Sequence, residues 1–277
     1  MTPHSSLGTP TQELALRLDA TQDAFFQGLG DLGRMTVRAS NCMATLESIR
    51  QMQAPVEMEP GEYGFPEMGL RLSAADGLAV HGALRQSPEP ELALEFDPLP
   101  HIDSLSFSAP PASRHGQELE AFIREWAVQG VETAELSQWR KDAQEKLNMC
   151  PCCAKAAARR AKRPQSHPLF WILKYAQINF FCLTVRLISP QLDFSLEMLP
   201  EEVEVQRGRI IMEEVMESRL SLDLYFVHAI ALKEAMIDGE RKALLHAYNS
   251  HGRLMLEIAC NGPDVLSHWR AICDAAK

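Results

Sequence analysis

Three thiols crowd into four residues at Cys150-Pro151-Cys152-Cys153. A thiolate is a soft, nucleophilic ligand, so a Cys-x-x-Cys step is either half of a tetrahedral zinc site or a dithiol redox pair. No second Cys-x-x-Cys and no His-x-x-x-His stands elsewhere in the sequence to complete a zinc set. The flanks also lack the strand-to-helix pattern of a thioredoxin-like centre. Cys150, Cys152 and Cys153 are therefore candidate metal ligands, weighed against three thiols with no role. Five cations follow at once: Lys155, Arg159, Arg160, Lys162 and Arg163. At helical spacing 155, 159, 162 and 163 share one face, which suits the carboxylates of a ligand or partner as well as it suits water.

Histidine and arginine candidates come in pairs, because the chain repeats itself. Met68-Gly-Leu-Arg71-Leu-Ser73 returns as Met216-Glu-Ser-Arg219-Leu-Ser221, and Thr36-Val-Arg38 as Thr184-Val-Arg186, both at an offset of 148 residues. Val80-His81 returns as Val227-His228, and Leu119-x-x-Phe122 as Leu266-x-x-Trp269, both at 147. Matches in one order at nearly one offset imply a tandem duplication, with a first repeat over 11–130, a second over 166–277 and a helical segment 131–165 between them. Repetition cuts both ways for function. His81 and His228 are paired ligand candidates, yet a histidine in an alternating strand commonly hydrogen-bonds at the sheet margin. Arg71 and Arg219 suit an anion clamp or a structural ion pair.

The elements that must position these residues read as α+β. Residues 11 to 27 carry Leu14, Leu16, Leu18, Phe25 and Phe26 without Gly or Pro and predict an amphipathic helix. Met35 to Arg38 alternates as a strand, and Pro168 to Gln177 followed by Phe181 to Arg186 gives the same helix-then-strand order in the second repeat. Ala243 to Tyr248, a turn at Asn249-Ser-His-Gly252 and Leu254 to Ile258 predict a hairpin; Val265, Leu266, Trp269 and Ile272 predict a terminal helix. Leu92 to Phe107 and Glu118 to Trp126 offer that order in the first repeat. Thr133 to Arg163 is rich in Ala, Glu, Lys and Arg without Gly and predicts helix broken near Pro151, whereas Pro55 to Gly61 and Ser108 to Gly116 read as loops. The expected architecture is a tandem repeat of two antiparallel β-sheets with flanking helices, joined by a helical linker, each half burying its own core.

Composition closes several classes. With 46% hydrophobic and 23% charged residues, the 277-residue chain is globular and long enough for two domains. A net charge of -10 argues against general nucleic-acid binding. The seven cysteines are an odd count and fit reduced thiols in a cytoplasmic chain better than a disulfide framework, and the polar amino terminus reads as no export signal. The apolar run Pro168 to Val185 carries Lys174, Gln177 and Asn179, so no membrane span is expected. A nucleophile elbow, a phosphate-binding glycine loop and His-Glu-x-x-His are absent from the sequence. Met212, Met216 and Met236 read as core filler, and His246 and His251 as exposed hairpin residues.

Leu70-Arg71-Leu72 followed by Gly77-Leu-Ala-Val80 resembles the Leu-Arg-Leu and Gly-Phe-Ala-Val pair in the first repeat of HemS/ChuS-type hemin-degrading and hemin-transport proteins, itself a tandem-repeat family. The segment from Leu244 to Leu256, with Leu266-Ser-His-Trp269-Arg-Ala-Ile272, is similar to that family's strand, glycine turn, strand and Leu-x-x-Trp-Arg helix. Leu32 to Arg38 resembles its early strand, so the resemblance covers most of the chain. It implies a heme cleft between a sheet and the inter-repeat helices, with Arg71 at the place of the arginine that faces heme on the distal side. The departure lies where iron is held. The family's axial histidine precedes the second repeat in an Asp-Val-His-Asp-Phe-like stretch, and no histidine occurs between His115 and His167; the family's Val-His-Glu is replaced by Met43-Ala-Thr45.

On that resemblance Cys150 is the substitute iron ligand, since a thiolate can hold heme iron, and Arg159 or Arg163 would meet the propionates. The expectation is a cytoplasmic heme-binding protein for heme trafficking or utilisation, with heme or a heme-delivery protein as partner and heme degradation as a further activity of such proteins. The alternatives are an interaction or regulatory protein on a scaffold that has lost its heme, and a cysteine-cluster zinc or thiol-redox protein. Whether the chain is an enzyme stays open.

Overall fold

Alternation of apolar and polar residues gives a strand one face that must be buried, and segments of this kind recur along the whole chain. The computed structural model describes residues 15–20, 23–73, 78–85, 90–98, 104–130, 149–214, 217–237, 239–262 and 264–276. The first repeat runs β1 (Ala15–Leu18), α1 (Asp23–Gly28), β2 (Arg34–Ser40), β3 (Ala44–Gln51), β4 (Val56–Glu59), β5 (Glu62–Phe65), β6 (Leu70–Ser73), β7 (Leu78–Arg85), β8 (Glu91–Pro98), β9 (Ser104–Ala109), α2 (Arg114–Trp126) and β10 (Ala127–Gly130). After α3 (Pro151–Lys162) the order returns as α4 (Pro168–Ile178), β11 (Leu183–Ile188), β12 (Leu192–Met198), β13 (Glu202–Gln206), β14 (Arg209–Glu214), β15 (Ser218–Leu222), β16 (Ala229–Ile237), β17 (Glu240–Tyr248), β18 (Leu254–Asn261) and α5 (Val265–Ala275). Thr36 and Thr184 fall in β2 and β11, Arg71 and Arg219 in β6 and β15, and Phe122 and Trp269 in α2 and α5.

The α+β architecture of two antiparallel sheets with flanking helices is the expected one, but the halves share it in an unexpected way. The first sheet runs β10-β1-β7-β8-β9-β2-β3-β15-β14-β13 and the second β16-β17-β18-β11-β12-β6-β5-β4. Each repeat therefore lends a three-stranded meander to the other's sheet. The seams are β3 on β15, with Leu46 opposite Leu220, and β12 on β6, with Phe194 opposite Leu70. Without the exchange β3 and β12 would present open edges with unpaired backbone groups. One hydrophobic core runs through both halves in place of two separate ones. Phe65 of the second sheet meets Phe107 of the first, ring centroids 6.4 Å apart.

The helices cover the sheets, with α2 on β8 and β9, α5 on β16 and β17, and α4 between β13 and α5. Three local expectations change. Leu14, Leu16 and Leu18 recur at every second residue, the period of a strand, and 15–18 is β1, with helix confined to α1. Val56–Glu59 forms an edge strand whose four residues are all exposed, so no apolar alternation marks it. Ser113 caps α2 by accepting a 2.9 Å bond from Gly116 N–H, which shrinks the second loop to 110–113. Met212 lies in the core, Met236 is 66% exposed, and Met216 lies outside the described residues. Most of the linker, 131–148, also lies outside them; Pro151 begins α3 where a break was expected.

Asn41, in the β2–β3 turn, ties the two halves together. Its Nδ2 donates to Met255 O at 2.8 Å and to Ile188 O at 3.3 Å, and its Oδ1 accepts from Met43 N and Ala44 N, each at 2.9 Å. Asn41→Ala would leave buried backbone groups of both repeats unpaired, at a cost of about 3 kcal/mol. Urea melts should show a lower midpoint at unchanged slope; a loss under ~1 kcal/mol would mean that Asn41 does not hold the halves.

Candidate functional site

The inter-repeat helix α3 and the start of α4 gather thiols, cations and a histidine. Cys150 is the N-cap of α3 and Pro151 its first residue, where a missing N–H costs nothing. This start gathers Cys150, Cys152 and Cys153 with their sulfurs all within 4.8 Å of one another, and Cys150 Sγ lies 2.8 Å from Cys152 Sγ. The Cys150 thiol is lowered to about 7, chiefly by its hydrogen bond with Cys152 and then by those with Cys153. Cys153 is raised to about 11 by its hydrogen bonds to Cys150 and then Cys152. Lys155, Arg159, Lys162 and Arg163 are exposed on the outer side of the same region.

Arg160 does not join them. It is half-buried, and its Nε is buried without a hydrogen-bond partner among the described residues. Desolvation lowers the Arg160 pKa. A turn over 164–166 then leads to His167, the N-cap of α4, whose Nδ1 accepts a 3.2 Å hydrogen bond from Leu169 N–H. With Nδ1 accepting, the neutral ring carries its proton on Nε2. Burial first, and the charge of Arg160 second, push His167 down to about 4, so the imidazole is neutral. Neutral imidazole is the form that ligates metal ions.

From His167, positions 171, 175 and 178 follow on one side of α4. Trp171, Tyr175 and Ile178, with Ile272 and Ala275 of α5, line an apolar groove of about 480 Å³ that begins at Ser166. Trp171 is 51% and Ile178 68% exposed, a large apolar surface for one helix to leave in water.

A second polar assembly crosses one face of the second sheet. His246 lies 2.7 Å from Glu257 and 3.1 Å from the Tyr248 hydroxyl. Glu257 lies in register with Arg186, which clamps Asp193 through two hydrogen bonds, Nε to Oδ1 at 2.7 Å. Arg71 stands opposite Asp193 across the seam. Asp193 is already taken, and the exposed Arg71 has no ion-pair partner among the described residues. Its duplicate behaves otherwise: Arg219 stands opposite Glu47, which binds Arg38 at 2.6 Å, but Arg219 turns to Glu213 at 3.0 Å. The first sheet therefore neutralises its arginine internally, and the second leaves its own available.

The paired histidines are not equivalent. Counting across the ladders, Thr36 leads through Ser108 and Ala93 to Ala83, and Thr184 leads through Ala259 and Leu244 to Lys233. Two residues back, His81 corresponds to Ala231. His81 is fully buried in β7 opposite Glu95, whereas His228 is exposed just before β16. His246, expected at the surface, is buried, and His251 is exposed. Arg71, the cysteine trio and the two paired histidines thus occupy separate regions. Sequence reasoning passed over His167 and the inward turn of Arg160, although an N-cap residue followed by Pro at N1 signals a helix start at 167.

The molecule is thus defined as a tandem, strand-exchanged α+β protein. Solved structures of the same fold include holo-PhuS, a heme-binding protein from Pseudomonas aeruginosa, with a TM-score of 0.67 and 12% identity over 95% of this chain and 87% of that one. The heme-degrading enzyme ChuS of Escherichia coli O157:H7 has a TM-score of 0.66 and 12% identity over 95% of this chain and 86% of its own. The fold expected from the HemS/ChuS resemblance is therefore the observed one. No protein-family model matches the chain, and no curated protein matches its sequence. No helix among the described residues is long and apolar enough to cross a membrane.

The state of His167 has a measurable consequence. The unfolded ring takes its proton near 6.5 and the folded ring near 4, so between these values the unfolded chain binds more protons. The stability His167 contributes is full above pH 6.5 and is lost as the pH falls toward about 4. His167→Gln should flatten the pH dependence of the urea midpoint across that window; an unchanged slope would place the imidazole in solvent.

Proposed function

We propose that the chain binds heme through His167 and serves heme trafficking or utilisation in the cytoplasm, with heme or a heme-delivery protein as its partner. The observation that carries this reading is a neutral imidazole beside a guanidinium whose buried Nε has no partner among the described residues, next to an apolar groove. Heme needs these three things: a nitrogen for its iron, cations for its carboxylates and an apolar wall for its ring. Ser166-His167-Pro-Leu-Phe170 stands at the start of the second repeat, whereas the Asp-Val-His-Asp-Phe-like stretch of HemS/ChuS-type proteins precedes it. The likeness of fold to PhuS and ChuS supports the same reading.

Bound heme would supply a redox-active iron, which is the chemistry degradation requires. The residues have defined tasks. For Nε2 to hold iron, its proton must leave, either by tautomer exchange to Nδ1 at the expense of the Leu169 cap or to solvent. Arg160, with Arg159 or Arg163 beside it, would balance the propionates, and Arg71 would face the distal side. Cys150 is set apart from His167 by the length of α3, roughly 18 Å for its twelve residues. His167 therefore replaces Cys150 as the proposed iron ligand.

A second reading, an interaction protein on the same scaffold, is favoured by Phe180, which is 79% exposed next to Ile178. A hemin titration of the reduced protein separates the two. A saturable one-to-one Soret shift at the position of histidine ligation is expected, with affinity weakened by roughly 100-fold or more in His167→Ala, weakened in Arg71→Ala and unchanged in Cys150→Ser. Absence of saturable binding would overturn the heme reading. Equal binding by wild type, His167→Ala and Arg71→Ala would remove both residues from the site.

A further inference from the structure

We propose that Cys150, Cys152 and Cys153 form a three-sulfur binding site for a thiophilic cation, zinc(II) or copper(I), at the exposed start of α3, separate from the heme reading. Cysteine is among the most buried residue types, and Cys260 follows that habit, yet Cys150 and Cys152 are exposed in a cluster of three. The sulfurs are free thiols held within 4.8 Å of one another by the turn into α3. Metal–sulfur bonds of about 2.3 Å place the sulfurs of a tetrahedral or trigonal site about 3.8–4.0 Å apart, so an ion entering between them must spread Cys150 and Cys152 from their 2.8 Å contact. The exposed end of the helix allows that movement.

The donor set selects the ion. Three thiolates with no further His, Cys, Asp or Glu gathered on them among the described residues exclude calcium and magnesium, which require oxygen. They suit copper(I), which three soft ligands satisfy, and zinc(II), for which three protein ligands leave a fourth position open to water or an external group. The positive end of the α3 dipole, to which Pro151 contributes no N–H, favours the negative charge of the bound thiolates. A site of this kind, open to solvent, suits exchange of the ion with a partner more than a permanent structural cross-link.

The test uses the full-length reduced protein under anaerobic conditions, titrated separately with zinc(II) and with copper(I) against a competing chromophoric chelator. Cobalt(II) serves as the spectroscopic stand-in for zinc. The expected result is one ion per chain, loss of three reactive thiols on loading, and sulfur-to-cobalt charge-transfer bands. Cys150→Ser, Cys152→Ser and Cys153→Ser should each weaken binding by more than roughly 100-fold, while Cys182→Ser, an exposed thiol elsewhere, leaves it unchanged. Saturation by only one of the two ions identifies the cation. Binding of neither ion at one per chain, or single variants that all bind like wild type, would each overturn the proposal. Circular dichroism of the serine variants keeps loss of binding distinct from loss of fold.

Discussion

Neither sheet is complete within its own repeat, and everything else in the molecule is arranged around that constraint. The ladders β3–β15 and β12–β6 close the two sheets, and each joins strands more than a hundred residues apart. Close packing at these seams leaves little room for variation. Gly69 takes φ +63 next to the second seam, and a Cβ there would stand 2.2 Å from Ser195 O, so neither the conformation nor the space admits another residue. Ser48 and Ser218 meet 3.0 Å apart across the first seam and satisfy each other in a buried position. The seams also decide where charge collects, because each brings an arginine of one repeat opposite a carboxylate of the other.

Duplication produced two such rows, and their difference is informative. In the first sheet Glu47 is bound by Arg38, and Arg219 finds Glu213, so the row is neutralised from within. In the second, Arg186 occupies Asp193 and leaves Arg71 with nothing comparable among the described residues. A guanidinium at a seam whose facing carboxylate is already engaged has its donors turned to solvent. The matching features are Arg160, on the inter-repeat helix α3, and His167, at the start of the helix that opens the second repeat.

Much of the architecture was legible because it is local. The alternation at Met35 to Arg38, the hairpin around Gly252, which takes φ +72, and the stripe of Leu266 and Trp269 each contain their own signal. What the chain hides is partner choice. Nothing in Leu70-Arg71-Leu72 says that its neighbour is β12 and not a strand of its own repeat, since the apolar period is the same in either sheet. The offset between copies also drifts from 148 at β2 and β11 to 150 at β7 and β16, so equal spacing in sequence aligned His81 with the wrong residue. His167 was visible as a cap before proline, but its neutrality and the inward turn of Arg160 come from tertiary burial.

Two copies that exchange a meander about an approximate twofold relation have the form of a strand-swapped dimer written into one chain. In a true dimer such an exchange is bimolecular, and its extent rises and falls with subunit concentration. Covalent joining replaces that concentration with a fixed effective one set by the connecting segment. It also frees the copies from identity: once the partner is always the other half, each seam residue answers to one neighbour only, and the two faces can drift apart. The exchange thus licenses asymmetry, allowing one face to become self-satisfied while the other stays open to a ligand.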